Sequence, residues 1–393
     1  MTHSPFLDLP GAIAGVAPDA GVPAHYGAPM PEQRKLDRGR AVVDGSHLGV
    51  VRIAGEDRIS WIDSLTSQRL VAGADGATSA ETLLLNQQGR IEYALDIIDD
   101  GTAAYLIVEP DAAEPVAAWF HKMRFRMRVE VTDVSDEFFA VTTIAPSFDD
   151  QGLDVGAVAP NGVPLIWTDP WATGAPGGAN YAAVAPDSHP GRTFRRRIHL
   201  LDAAGRAALV ARVRAGELDV AGALALEALR VAAWRPRAAT EFDDRILPHE
   251  LDLLRSSVHL SKGCYRGQET VAKVHNLGHP PRRLTLLDLD GIDGRLPGSG
   301  ALVRLAEDAA GKPVGRVTSS VRHYDEGPIA LALLKRNVAT DAALVVDLEV
   351  AEAVEGAAAD ESTAGAPEQL DAHQTVIVRP DAGHSVDIPR FRR

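Results

Sequence analysis

One cysteine, Cys264, in 393 residues decides how this chain can hold itself together. Neither an intramolecular disulfide nor an all-cysteine metal site can form within one chain, so the fold must rest on packed apolar cores. At this length one core is too few, and two or three domains are expected. Hydrophobic residues at 45% and charged residues at 24% supply the material of an ordinary globular protein. A lone thiol fits a reducing compartment. The first 21 residues lack the basic-then-apolar pattern of a secretory signal, and no apolar run reaches the roughly 18 residues of a membrane span. A cytoplasmic protein without a membrane partner is therefore expected. The net charge of −14 repels phosphate backbones and argues against general nucleic-acid binding. Two basic runs stand out against it: residues 121–128, read as an alternating strand with solvated arginines, and residues 192–197, read as basic surface.

Residues 1–34, punctuated by Pro5, Pro10, Pro18, Pro23, Pro29 and Pro31, read as an extended N-terminal arm. Short strands follow at 41–44 and 48–53 around the Asp44-Gly45-Ser46 turn, then a helix over 58–67 with Ile59, Ile62 and Leu65 on one face. Strands at 80–85, 90–98 and 104–108, joined by the turns Asn86-Gln87-Gln88-Gly89 and Asp99-Asp100-Gly101, describe an antiparallel sheet. A helix at 114–122 and strands at 125–131 and 138–142 add α+β layers. The spacing predicts helices over 203–214 and 218–231, the second ended by Pro236. A long polar segment, 238–260, leads to the cysteine. Beyond Pro281, strands between glycine turns at 284–289, 301–305, 313–320, 329–334 and 344–350 read as a small β-barrel or sandwich. Residues 351–393 read as an acidic linker and a basic tail.

Cys264 lies between Gly263 and Gly267, just before a helix that starts near Gln268 and stops at Gly278. Orphan N–H groups at that helix start, with Lys262 and Arg266 nearby, favour a thiolate. The competing reading is a small buried hydrophobe, a common fate of free cysteine. No metal site is expected, because His275 and His279 straddle the helix stop and cannot share one helical face.

Lys262-Gly263-Cys264-Tyr265-Arg266-Gly267-Gln268-Glu269 resembles the K-G-C-[FY]-x-G-Q-E signature of the YgfZ-type folate-binding proteins, a branch of the aminomethyltransferase superfamily that includes the glycine-cleavage T-protein. Weaker agreement extends from about residue 35 to 350, including Asp244-Arg245-Ile246-Leu247-Pro248-His249-Glu250 and Gly315-Arg316-Val317-Thr318-Ser319-Ser320. The resemblance implies an α+β fold in a three-domain cloverleaf around a central folate channel. Two interleaved lobes would occupy residues 35–280, the second at roughly 55–140, and the C-terminal β-barrel would occupy 281–350. It implies tetrahydrofolate or a derivative as cofactor, held by Lys262, Gly263, Tyr265, Arg266, Gly267, Gln268, Glu269, Arg230 and Glu250, with Cys264 facing the channel as a functional thiol.

Two departures from the family pattern bear on activity. Tyr93 and Ala94 stand where the aminomethyltransferases carry paired aspartates, which argues against aminomethyl transfer; Glu92 or Asp96 substitutes only if the strand register slips. Ala232 stands where a glutamate grips the pterin, leaving Glu241 or Glu250 to take over. The function implied is support of iron–sulfur cluster assembly or repair, with folate and iron–sulfur client or assembly proteins as partners and any cluster ligated transiently with a partner. The alternatives are a folate-dependent one-carbon transferase or tRNA-modification factor, and a small-ligand module in which Cys264 is structural.

Overall fold

The computed structural model describes residues 3–71, 78–150, 152–290, 294–348 and 368–384. Two five-stranded sheets and a closed six-stranded barrel organise it. The first sheet contains Ala41–Asp44, Phe139–Ile144, Ile166–Thr168, Arg196–Leu201 and Asp219–Ala221; the second contains Gly49–Ala54, Thr78–Leu85, Ile91–Asp99, Ala103–Val108 and Glu130–Asp133. The second sheet is thus inserted between the first two strands of the first, which makes the lobes interleaved in sequence. The Asp44-Gly45-Ser46 turn switches sheets instead of closing a hairpin. Asp44 Oδ1 accepts the Ser46 N–H at 3.0 Å, and the Gly45 N–H donates to the Ala140 carbonyl at 3.0 Å, so the crossing backbone stays satisfied.

The two sheets pack face to face through Val50, Ile98, Tyr105 and Ile107 on one side and Leu165, Trp167, Ile198 and Leu200 on the other. The far face of the second sheet is covered by the helices Arg58–Leu65 and Ala113–Met123. Being covered on both faces explains why Ala103–Val108 is buried at every position and reads as a continuous apolar run, not an alternating one. In the barrel, Arg282–Leu289, Gly315–His323 and Gly327–Lys335 pair antiparallel, and Leu344–Asp347 pairs with Leu302–Leu305. Closure comes from Gln369–Val376, which bonds both Arg282–Leu289 and Leu344–Asp347.

Four sequence expectations change. The barrel runs beyond residue 350, because its closing strand lies past the acidic stretch 351–367; that stretch and the basic end at 390–393 lie outside the described residues. The N-terminal arm is folded, not extended: Phe6 is fully buried with Leu9 against Val42, Val141 and Leu201, and Ser4 donates to Asp44. Buried Glu32 accepts N–H groups of Tyr26 and Ala28 and, at 2.9 Å, of Gly222, so the arm is tied to the first lobe. Residues 218–221 are not helix: Asp219–Ala221 pairs parallel with Ala41–Val43, and the helix starts at Ala223. The run 121–128 is the end of a helix and a turn at Phe125, whose φ is 45°; only Glu130–Asp133 continues as strand.

Phe6→Ala is expected to cost about 3 kcal/mol or more, the range for emptying a buried aromatic site. Urea denaturation of the full chain measures it, and an unchanged midpoint would contradict the docked arm.

Candidate functional site

The cysteine loop is built by contacts that point away from the cysteine. Lys262 is buried, and its Nζ donates to the carbonyls of Asp63 at 2.5 Å, Thr66 at 2.9 Å and Gln68 at 2.8 Å. It thereby caps the C-terminal end of helix Arg58–Leu65, where carbonyls lack intrahelical partners. Burial lowers the Lys262 pKa, partly offset by the Asp63 carboxylate at 3.2 Å. Arg266 pairs with Glu92 at 2.9 Å. Both cations expected beside Cys264 are therefore committed elsewhere.

Gly267 caps the motif helix Gln268–Leu277 at φ 83°, a left-handed conformation that favours glycine. A Cβ there would meet the Asn86 carbonyl oxygen at 2.5 Å and the Gly89 Cα at 3.0 Å. The loop thus seats backbone to backbone on the Asn86-Gln87-Gln88-Gly89 turn. Gln268 Nε2 returns to the Lys262 carbonyl at 3.2 Å, and buried Tyr265 underlies the Lys262 ammonium. Gly263, Cys264 and Glu269 are exposed.

Between the lobes lies an inner cavity of about 90 Å³ whose lining includes Ala94, Asp96, Glu109, Glu227, Arg230 and Phe242. None of residues 262–269 is among its lining, so the structure sets Cys264 outside this space instead of facing it. Ala94 and Asp96 share one strand face two residues apart, which brings Asp96 into the cavity without any register slip. Burial raises the Asp96 pKa well above the usual carboxylate range, against the pull of Arg196 at 3.7 Å. Arg230 lines the cavity in ion pairs with Glu227 at 2.6 Å and Glu241 at 3.1 Å. Glu250 accepts from Arg282 and from the Leu247 N–H, in a cluster with Asp243. Ala232 is partly buried and packs against the central core. The carboxylate nearest in sequence that reaches the inner cavity is Glu227; burial raises its pKa, and Arg230 and Arg237 more than offset this.

An outer cavity of about 530 Å³ shares Glu81 with the inner one. Its exposed edge carries Arg69 and Phe148, with Arg195 and Arg197 beside them, so the run 192–197 is cavity wall and strand as well as surface. Its lining includes the buried residues Glu81 and Asp169, whose carboxylates are held in common by Arg235, which donates to Glu81 at 2.6 Å and Asp169 at 3.1 Å. Asp169 also accepts from Arg196 at 3.0 Å, and Glu81 from Ser256 and Ser257. Sequence reasoning missed this cluster. Its signal was Glu81 standing alone in an apolar strand, a position where charge must be paired. A further opening, about 310 Å³, is lined by Glu92, Tyr93, Ala94 and Phe242, which puts the Arg266 end of the motif loop at its edge. Among the described residues no group of histidine, cysteine and carboxylate side chains could hold a metal ion.

A crystal structure of the glycine-cleavage aminomethyltransferase T of Bartonella henselae superposes on 95% of this chain and 94% of its own with a TM-score of 0.68 at 16% identity. The fold is that of an aminomethyltransferase. No family model matches the chain. Its relatives include the mitochondrial iron–sulfur cluster assembly factor IBA57 of Mus musculus, 27% identical over 75% of this chain and 76% of that one. The tRNA-modifying protein YgfZ of Aliivibrio fischeri is 29% identical over 30% of this chain and 38% of its own. Within the aminomethyltransferase fold, the barrel and the segment 246–258 pack on the motif helix through Leu251, Leu254, Val271 and Leu331. No helix among the described residues is long and apolar enough to cross a membrane.

His249 joins that segment to the motif helix, its Nε2–H donating to the Val271 carbonyl at 3.1 Å, and burial holds its pKa down to about 3. Below the unfolded value of 6.5 the unfolded chain takes a proton there and the native chain does not. Stability is therefore expected to fall as pH drops from 6.5 toward 3, by up to about 1.4 kcal/mol per pH unit. Urea titrations at pH 4 to 7 should show this slope reduced in His249→Gln; parallel curves would contradict a neutral buried imidazole.

Proposed function

We propose that this chain is a tetrahydrofolate-binding accessory protein that supports iron–sulfur cluster assembly or repair, with Cys264 as its working thiol. One arrangement carries the reading: a loop anchored by buried Lys262 and Gly267 holds its cysteine out in solvent, apart from the cavity. A structural cysteine of the buried kind needs no such mounting. An exposed thiol can meet a partner, and a single cysteine fills one of the four ligand positions of a cluster, so an iron–sulfur client or assembly protein supplies the rest. The relative IBA57, an iron–sulfur cluster assembly factor, favours the same reading, and the tRNA-modifying relative YgfZ favours the alternative of a tRNA-modification factor.

The outer cavity suits the cofactor. Its volume of about 530 Å³ falls within the usual range for ligand pockets. Arg69, Arg195 and Arg197 would hold the glutamyl carboxylates of a folate, and the Glu81–Asp169 end offers acceptors to the donor-rich pterin. When bound, a reduced folate supplies one-carbon carrying capacity. This chain's residues bind and orient it; Ala94, at the position of the carboxylate that aminomethyl transfer would use, lines the inner cavity and not the outer one.

Cys264→Ala should leave stability within about 0.5 kcal/mol, since the side chain is exposed. It should abolish complementation of a strain with an iron–sulfur enzyme defect, whereas full complementation would reduce Cys264 to a bystander. A second reading, a folate-dependent transferase, is favoured by Asp96, which lines the inner cavity with a raised pKa. Asp96→Asn with folate binding kept separates the two: unchanged complementation supports the accessory role, and lost complementation supports the transferase.

A further inference from the structure

The basic run 121–128 takes no part in the sites described above. It carries Lys122, Arg124, Arg126 and Arg128 and no acidic residue, on a chain whose net charge is −14. The Met127 N–H donates to the Arg124 carbonyl at 2.9 Å, closing a turn that holds Phe125 at φ 45° and 88% exposed. A phenylalanine seldom adopts this left-handed backbone, and an aromatic ring in solvent forgoes the burial such side chains usually obtain. Met123 beside it is exposed as well. Among the described residues Arg128 is taken up by Glu56 and Asp57, while no carboxylate pairs with Lys122, Arg124 or Arg126. The tip is therefore cationic with an apolar point.

The other end of the same helix, Ala113–Met123, has the opposite character. At its first turn lies a groove of about 480 Å³ lined by exposed Asp111, Glu114, Asp133 and Asp136, together with Leu48 and buried Phe139. Among the described residues no lysine or arginine pairs with these four carboxylates. Acid at the start and base at the end suit the helix's own dipole, but that effect fades within one turn and places no phenylalanine in solvent. The helix is about 16 Å long, so the tip and the groove of one chain cannot meet. A second copy can bring them together. Glu114, Ala118 and Lys122 are exposed at i, i+4 and i+8 along one face, with Glu114 and Lys122 equally far from Ala118. A two-fold axis crossing the helix at Ala118 therefore sets Glu114 of each copy opposite Lys122 of the other, with the small Ala118 side chains where the backbones approach.

We propose that this chain pairs with a second copy of itself by antiparallel packing of helix Ala113–Met123, the Phe125 tip of each copy lodging in the acidic groove of the other. The assembly closes on itself, because the two tip–groove contacts are related by the two-fold axis. A polynucleotide or an anionic membrane is an extended anion that the rest of this acidic chain repels. A copy of the chain instead offers a local acidic groove with apolar lining, complementary in charge to the tip. The proposal is independent of the folate reading and of the role of Cys264.

The test is sedimentation velocity of the full chain from low micromolar to a few hundred micromolar. Salt of about 0.15 M leaves contact charges acting while its Debye length of about 8 Å screens the repulsion between two acidic chains. A monomer–dimer equilibrium is expected. Phe125→Ala, Glu114→Lys and Lys122→Glu should each weaken it at least tenfold. An equimolar mixture of Glu114→Lys and Lys122→Glu should restore it, because opposite charges then meet at both contacts. A monomer at every concentration would overturn the proposal. So would a dimer that Glu114→Lys and Lys122→Glu leave unchanged, or a mixture that associates no better than either variant alone. Binding of phosphatidylserine vesicles or of a single-stranded oligonucleotide by a monomeric chain, lost in Phe125→Ala, would give the tip another occupant and overturn the proposal as well. All three positions are exposed, and circular dichroism of each variant checks that it folds.

Discussion

The guanidinium of Arg235 is shared between Glu81, on a strand of the inserted lobe, and Asp169, just after a strand of the other lobe. Arg196 and Asp96 extend the cluster across the same boundary, and Ser256 and Ser257 bring in the segment that leads to the motif helix. A cluster of this kind is weak evidence for net stability, because desolvating ions is costly; removing one partner nevertheless costs about 3 to 5 kcal/mol by stranding the others. Its consequence is geometric. With two sheets joined through an apolar face at Tyr105 and Trp167, the ion cluster fixes where that face ends and where the cavities begin.

The thiol and the cavities are separate parts of this molecule. Lys262, Arg266 and Gly267 are spent on anchoring the cysteine loop to the inserted lobe, through helix-end carbonyls, Glu92 and the turn at Gly89. What remains exposed is the cysteine with its neighbour Gly263, and Glu269 on the helix. The cavities are lined instead by residues far apart in the chain, from Asp19 of the N-terminal segment to His259. In the proposed role, a folate occupies the outer cavity while Cys264 serves partners at the surface.

The helices over 203–214 and 268–277 were legible in the sequence because capping and stop signals coincide with apolar periodicity: Asp202 caps the first, and Gly267 and Gly278 bracket the second. The α+β class, the closed barrel and the aminomethyltransferase fold were legible from the eight-residue signature and the hairpin turns. The strand Asp219–Ala221 was hidden because its three residues run into a helix with no break in composition, and only the parallel pairing with Ala41–Val43 makes it a strand. The docked arm was hidden because prolines signal irregular backbone, not exposure; Phe6 and Val22 are buried among them. At the site, Gly267 and Lys262 were found by motif but their contacts were not, since Asn86 and Asp63 are distant in sequence. Glu81, Asp169 and Arg235 escaped notice because long-range ion pairs leave no local periodicity.

Hydrogen–deuterium exchange of the full chain with and without 5-formyltetrahydrofolate tests the central claim most directly, that the ligand space and the thiol loop are distinct. Protection is expected around residues 68–71, 168–176 and 256–259, which border the outer cavity, with little change at 262–267. Protection concentrated at 262–267, with none along the outer cavity, would contradict it.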